Sequence, residues 1–91
     1  MLYPSVATGI STPDVSSTEL VRVSNTAPTD ITGFTGTKPN QIFYVESTTA
    51  NMTTIKASST LLTKTGADIV MSQSKVLLFK VSHDGIRIVQ V

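Results

Sequence analysis

The chain has no cysteine and no tryptophan, and its aromatics and charges are few. Without Cys, neither a disulfide nor a thiolate metal site can form, so the usual staples of a small fold are missing. Charged residues make up 14% of the 91 positions, against roughly 25% in ordinary globular chains. The 7 Lys and Arg nearly balance the 6 Asp and Glu, leaving a net charge of +1. That balance provides no basic field for a nucleic acid or an anionic membrane, and neither is expected as a partner. No segment approaches the roughly 20 apolar residues of a membrane span. Met1-Leu2-Tyr3-Pro4 has no basic residue and no apolar run behind it. No secretory leader is expected, and the chain reads as made in a cytoplasm. The length predicts a single domain.

What the chain does have is hydroxyls and branched aliphatics: 15 Thr, 11 Ser, 10 Val and 7 Ile. Branching at Cβ favours strands over helices. From Glu19 onward, short apolar clusters centred near Val21, Ile31, Val45, Ile55, Leu62, Ile69, Phe79 and Ile88 are separated by Gly, Pro, Asn or Asp. This is the spacing of an all-β domain. No stretch carries the i, i+3, i+4, i+7 apolar pattern without Ser or Thr interrupting it, so no long helix is predicted. The expected fold is all-β: a small, antiparallel-rich sandwich or prism-like module over residues 19–91.

Residues 1–18 differ. Leu2, Tyr3, Val6, Ile10 and Val15 are scattered without period among Pro4, Gly9, Pro13 and many hydroxyls. The segment is predicted to be an extended docking arm, whose five apolar side chains lie along another protein.

The end of the chain is the clearest element. Val76–Ser82 and Ile86–Val91 flank His83-Asp84-Gly85, and Asp-Gly suits a type I′ hairpin turn. Closing there pairs Val81 with Ile88 and Phe79 with Gln90 on one face, and Lys80 with Val89 and Leu78 with Val91 on the other. Phe79, Val81, Ile86 and Ile88 then form an inner face. The opposite face gathers Val76, Leu78, Val89 and Val91, which is too apolar for water and is predicted to be an oligomer interface. A core this small supports the prediction. Apolar burial at about 25 cal/mol/Å² roughly cancels an ordering cost of about 1.5 kcal/mol per residue. An obligate oligomer is therefore expected.

Catalytic chemistry is not expected. Ser82, His83 and Asp84 are consecutive at a turn tip, where neighbouring side chains point to opposite faces, and no Gly-x-Ser-x-Gly elbow occurs. One His cannot make a zinc site, and the acids Asp14, Glu19, Asp30, Glu46, Asp68 and Asp84 lack calcium-loop spacing, so neither a metal nor a cofactor is predicted. Gly33-Phe34-Thr35-Gly36 lacks the glycines of a phosphate loop and reads as a turn. Phe43 and Tyr44 fall on opposite faces of one strand, so at most one of them belongs to the core.

Six stretches in order carry a resemblance: Val23-Ser24-Asn25-Thr26, Asp30 to Gly36, Asn40-Gln41-Ile42, Met52 to Lys56, Ser58 to Leu62, and the Asp84-Gly85 hairpin. Together they resemble a β-rich module of bacteriophage virions, found at the ends of tail fibres and tailspikes and in head fibres and capsid decoration proteins. The likeness runs from about Glu19 to Val91. Ile88 stands where that module usually has Trp, His83 where it has Tyr, and Pro39-Asn40 where a Gly precedes the Gln. The resemblance implies a homotrimeric, non-enzymatic building block of a virion, made in the host cytoplasm. Its expected role is as a free-standing decoration (cement) or head-spike protein that docks on the major capsid protein or another virion protein through residues 1–18. The alternative is a receptor-binding tip or C-terminal trimerisation module of a tail fibre or tailspike, recognising a host surface glycan or protein.

Overall fold

The computed structural model describes residues 4–91; Leu2 and Tyr3, two of the five expected docking residues, lie outside the described residues. Among the described residues all regular structure is β, with nine strands and no helix. They are β1 (Ser5–Ala7), β2 (Leu20–Val23), β3 (Thr29–Ile31), β4 (Ile42–Ser47), β5 (Thr53–Ile55), β6 (Leu61–Leu62), β7 (Ile69–Met71), β8 (Val76–Val81) and β9 (Ile88–Gln90). A large sheet of six strands runs in the order β1-β2-β4-β8-β9-β6, and a small sheet of three strands in the order β3-β5-β7.

The sheets are mixed rather than antiparallel-rich. β1–β2, β2–β4, β3–β5 and β6–β9 pair parallel, while β4–β8, β8–β9 and β5–β7 pair antiparallel. Parallel neighbours need a long crossover, usually supplied by a helix. Here a strand of the other sheet supplies it. The chain passes from β2 in the large sheet to β3 in the small one, back to β4, then across to β5. Leu20 lies opposite Tyr44 and Thr29 opposite Thr53, so both sheets share one offset of 24 residues (20 to 44, 29 to 53). The result is a short coil whose successive turns stack in register.

Both sheets contribute inward side chains to one core. Val21, Val23, Phe43, Val45, Phe79 and Val81 from the large sheet meet Ile31, Ile55 and Met71 from the small one. Phe34 closes the centre, its ring centroid 4.9 Å from Phe43 and 5.7 Å from Phe79. Phe43 is buried and Tyr44 exposed, as the alternation of their strand requires.

Asn25 ties the turns of the coil together. It is 1% exposed; its Nδ2 donates to Thr53 Oγ1 at 2.7 Å, its Oδ1 accepts from Gly9 N at 2.7 Å, and its carbonyl accepts from Thr49 Oγ1 at 2.7 Å. Among the described residues no buried side-chain nitrogen or oxygen lacks a partner.

Residues 4–18 lie along this body. β1 extends the large sheet beside β2, and Val15 is fully buried in the core. Val15 N donates to Thr35 O at 2.9 Å, Thr35 N to Pro13 O at 3.0 Å, and Gln41 Nε2 to Val15 O at 2.6 Å. Gly36 takes φ 73° under this segment, where a Cβ would fall 2.5 Å from Asp14 Oδ1 and 2.6 Å from Ser16 Cβ. Backbone pairing and one buried valine thus hold residues 4–18, from the segment expected to be an extended docking arm, along the body.

The terminal hairpin has the expected register, with Phe79 opposite Gln90, Lys80 opposite Val89 and Val81 opposite Ile88. Its turn differs. Gly85 N donates to Ser82 O at 2.9 Å, so His83 and Asp84 are the central residues, and within the turn only Gly85 takes positive φ, at 79°. Asp84 stays out of the left-handed region because its carboxylate accepts from the Ser82 hydroxyl and from Ile86 N. This wider loop turns Ile86 outward, leaving it 64% exposed instead of on the inner face with Phe79, Val81 and Ile88.

Candidate assembly face

Each strand of the large sheet turns alternate residues away from the core, and register decides which of these become neighbours. Tyr44 lies between Leu20 and Leu78, Lys80 between Ile42 and Val89, and Glu46 between Arg22 and Val76. Val91 N donates to Leu78 O at 2.9 Å, bringing the last residue alongside. Val6, on the edge strand β1, is separated from Val76 by the Arg22 and Glu46 side chains and lies outside this cluster.

This outer face is apolar. Ile42 is 53% exposed, Tyr44 45%, Val76 48%, Val89 38% and Val91 56%, and Leu78 is half-buried. All four residues expected at an oligomer interface, Val76, Leu78, Val89 and Val91, are therefore gathered on one surface. The small sheet makes the contrast: its outer residues Asp30, Thr54 and Val70 lie side by side, near a Lys56–Asp68 ion pair of 2.7 Å. A sheet that faces water on one side normally alternates apolar and polar residues, as β3 and β5 do, whereas β7 exposes Val70.

The large face carries few charges. Arg22 Nε meets Glu46 Oε1 at 3.2 Å. Lys80 forms no ion pair among the described residues. It opens onto a cleft of about 440 Å³ whose lining includes Asn40, His83, Val89, Gln90 and Val91. Gln90 Oε1 accepts from Lys64 N at 2.9 Å.

The expected docking residues are divided. Val6 and Ile10 are exposed at 67% and 47%, but Val15 belongs to the core and presents nothing to a partner.

The acids at the turns serve local structure. Hydrogen bonds from the Ser82 hydroxyl and then from Ile86 N hold the Asp84 carboxyl below its ordinary range. Ser16 does the same for Asp14, through its backbone N–H and then its hydroxyl. Lys56 lowers Asp68 and is itself raised by it. The Ser82 hydroxyl is engaged by Asp84 and by Arg87 N, so it belongs to the hairpin turn. Among the described residues no three His, Asp or Glu side chains converge where a metal ion could sit.

Sequence reasoning placed Lys80 on this face through its pairing with Val89, missed Ile42, and left open which of Phe43 and Tyr44 belongs to the core. The alternation of β4 signals Tyr44. Ile42 becomes a neighbour of the interface set only once β4 pairs with β8, more than thirty residues further along the chain. Comparison of the chain with protein-family models, with characterised proteins and with solved structures finds no match.

Proposed function

We propose that this chain is a non-enzymatic structural protein of a bacteriophage particle, a capsid decoration (cement) or head-spike module that assembles as a homotrimer through the outer face of the large sheet. One observation carries the reading: a contiguous apolar surface formed by Ile42, Tyr44, Val76, Leu78, Val89 and Val91 on the outer side of the large sheet. Monomeric proteins rarely leave such a patch in water. The order of turn and strand motifs from Val23 to the Asp84-Gly85 hairpin supports the viral assignment. Docking on the major capsid protein then runs through the exposed Val6 and Ile10, with Leu2 and Tyr3 beside them in sequence. The product is made in the host cytoplasm and ends in the virion.

The decisive experiment is sedimentation of the intact chain and of single variants at micromolar concentration. A trimer is expected for the native chain and monomers for Leu78→Asp and Val91→Asp, because an unpaired carboxylate in an apolar contact costs several kcal/mol. Arg87→Ser should remain trimeric. A native chain that sediments as a monomer sinks the assembly, and the copy number per particle tests the role: hundreds fit a cement protein.

The cleft beside Lys80 favours a second reading, a receptor-binding tip or C-terminal trimerisation module of a tail fibre. Asn40, Lys80, His83 and Gln90 give it donors suited to an acidic sugar of a host surface glycan. A handful of copies per particle is the outcome that selects this reading.

A further inference from the structure

The outer face of the large sheet has two unlike ends. Along β8, Val76 lies opposite Glu46 and Lys80 lies opposite Ile42, so the carboxylate and the free ammonium are four residues apart, about 13 Å at about 3.3 Å per residue. Between them sits the apolar Tyr44–Leu78 pair. Lys80 cannot be covered by an apolar surface without a counter-charge, since an unpaired buried ammonium is strongly unfavourable. The partner that covers this face must therefore bring an acid to it.

The acids of a second copy are few. Asp14 and Asp84 cap turns, and Asp68 is held by Lys56. Asp30 lies on the outer side of the small sheet. Glu19, whose carbonyl accepts from Tyr44 N, stands near the Lys80 end of the face. Glu46 stands at the other end, and only its Oε1 is engaged by Arg22, leaving Oε2 to accept.

We infer that neighbouring copies meet head-to-tail across the large sheet, with Lys80 of one copy set against Glu46 of the next. The inference rests on the self-association reading and adds to it the charge contact that fixes how the copies are placed. In a closed ring whose strands run across the symmetry axis, one end of each face meets the opposite end of its neighbour, and every Lys80 and every Glu46 is used once. A copy set side by side with strand ends level would instead bring like ends together and leave Lys80 unpaired.

Charge exchange in the intact chain tests the contact by sedimentation equilibrium. Lys80→Glu and Glu46→Lys should each weaken assembly by about tenfold or more, and the double variant should be tighter than either single one, because the pair is restored with reversed polarity. Glu46→Lys carries the same change beside Arg22 in the single and double variants, so the comparison isolates the contact between copies. Glu19→Gln should assemble like the native chain. If a reversed variant fails to fold, the neutral pair Lys80→Gln and Glu46→Gln gives the same answer, with coupled rather than additive losses expected. A native chain that stays monomeric overturns the self-association reading and this contact with it. A native oligomer in which the double exchange gives no rescue, or the neutral losses simply add, overturns the Lys80–Glu46 contact alone.

Discussion

Asn25 shows what one polar residue can do inside a small apolar core. Its side chain and carbonyl join the first segment of the chain, at Gly9, to two positions of the next coil turn, Thr49 and Thr53. Asn25→Ala removes the donor to Thr53 Oγ1 in the interior and the acceptor of Gly9 N, which lies at the exposed edge of the core. At about 1–3 kcal/mol for a buried group left unsatisfied, here the Thr53 hydroxyl, the loss should be about 2 kcal/mol, equivalent to a fall of about 10 °C in Tm for a domain of this size. A thermal melt unchanged by the substitution would remove Asn25 from this role. The sequence offered Asn25 only as part of a short motif; its partners are 16 and 28 residues away, beyond any local pattern. Asp84 acts on a smaller scale. Its carboxyl lies below the ordinary 3.8 because the Ser82 hydroxyl and Ile86 N favour the charged form. A group whose pKa is lowered by folding stabilises the fold above its unfolded value and loses that contribution as pH falls through the folded one. The hairpin tip should therefore hold unchanged down to about pH 3.8 and loosen only in stronger acid. The Ile86 amide resonance should report this with a midpoint below 3.8, and Asp84→Asn should abolish the titration. A midpoint at or above the ordinary value contradicts the account.

Elements were legible where local pattern decides them and illegible where distant pairing does. The terminal hairpin follows from two alternating runs around Asp84-Gly85, and its register was readable residue by residue. Its turn type was not, because the Asp84 carboxylate accepts hydrogen bonds from Ser82 and Ile86 and so selects a turn centred one residue earlier. The coil was not readable either. Its turns share few identities, among them Val21 with Val45, Thr29 with Thr53 and Ile31 with Ile55, and the exchange of Arg22 for Glu46 conceals the repeat while creating an ion pair between its turns. Two glycines separate conformational need from close approach. Gly85 takes φ 79°, and a Cβ there would lie 3.3 Å from Pro39 Cγ, so Gly85→Ala should cost about 1–2 kcal/mol from backbone strain. Gly36 takes a similar φ of 73° but lies beneath Asp14 and Ser16, with 2.5 Å to the nearest atom. Gly36→Ala must also push that segment away, so it should be the more destabilising of the two in denaturant melts. Equal losses would show that residues 13–16 yield without cost.

At the scale of the molecule, the large sheet gathers a broad apolar outer face, and residues 4–18 contribute to both packing and exposure. The apolar side chains of this segment were legible, but their division was not, because which of them point inward depends on how the chain runs beside β2 and Thr35. Val15 is fully buried, and Val6 and Ile10 are exposed. Two separable consequences follow. Val15→Ala leaves a cavity in the shared core and should lower stability by about 1–3 kcal/mol, in proportion to the methyl groups removed. It leaves Val6 and Ile10 in place, so any variant protein that remains folded should still dock. The double change Val6→Ser and Ile10→Ser removes apolar surface that already faces water, which makes it nearly neutral for folding. If this segment is what the capsid shell holds, the double variant should melt with the native protein yet be lost when purified particles are washed, while Val15→Ala melts earlier and is retained. Retention of the double variant at native level places docking elsewhere on the body, and a large fall in its melting temperature shows that Val6 or Ile10 belongs to the packing.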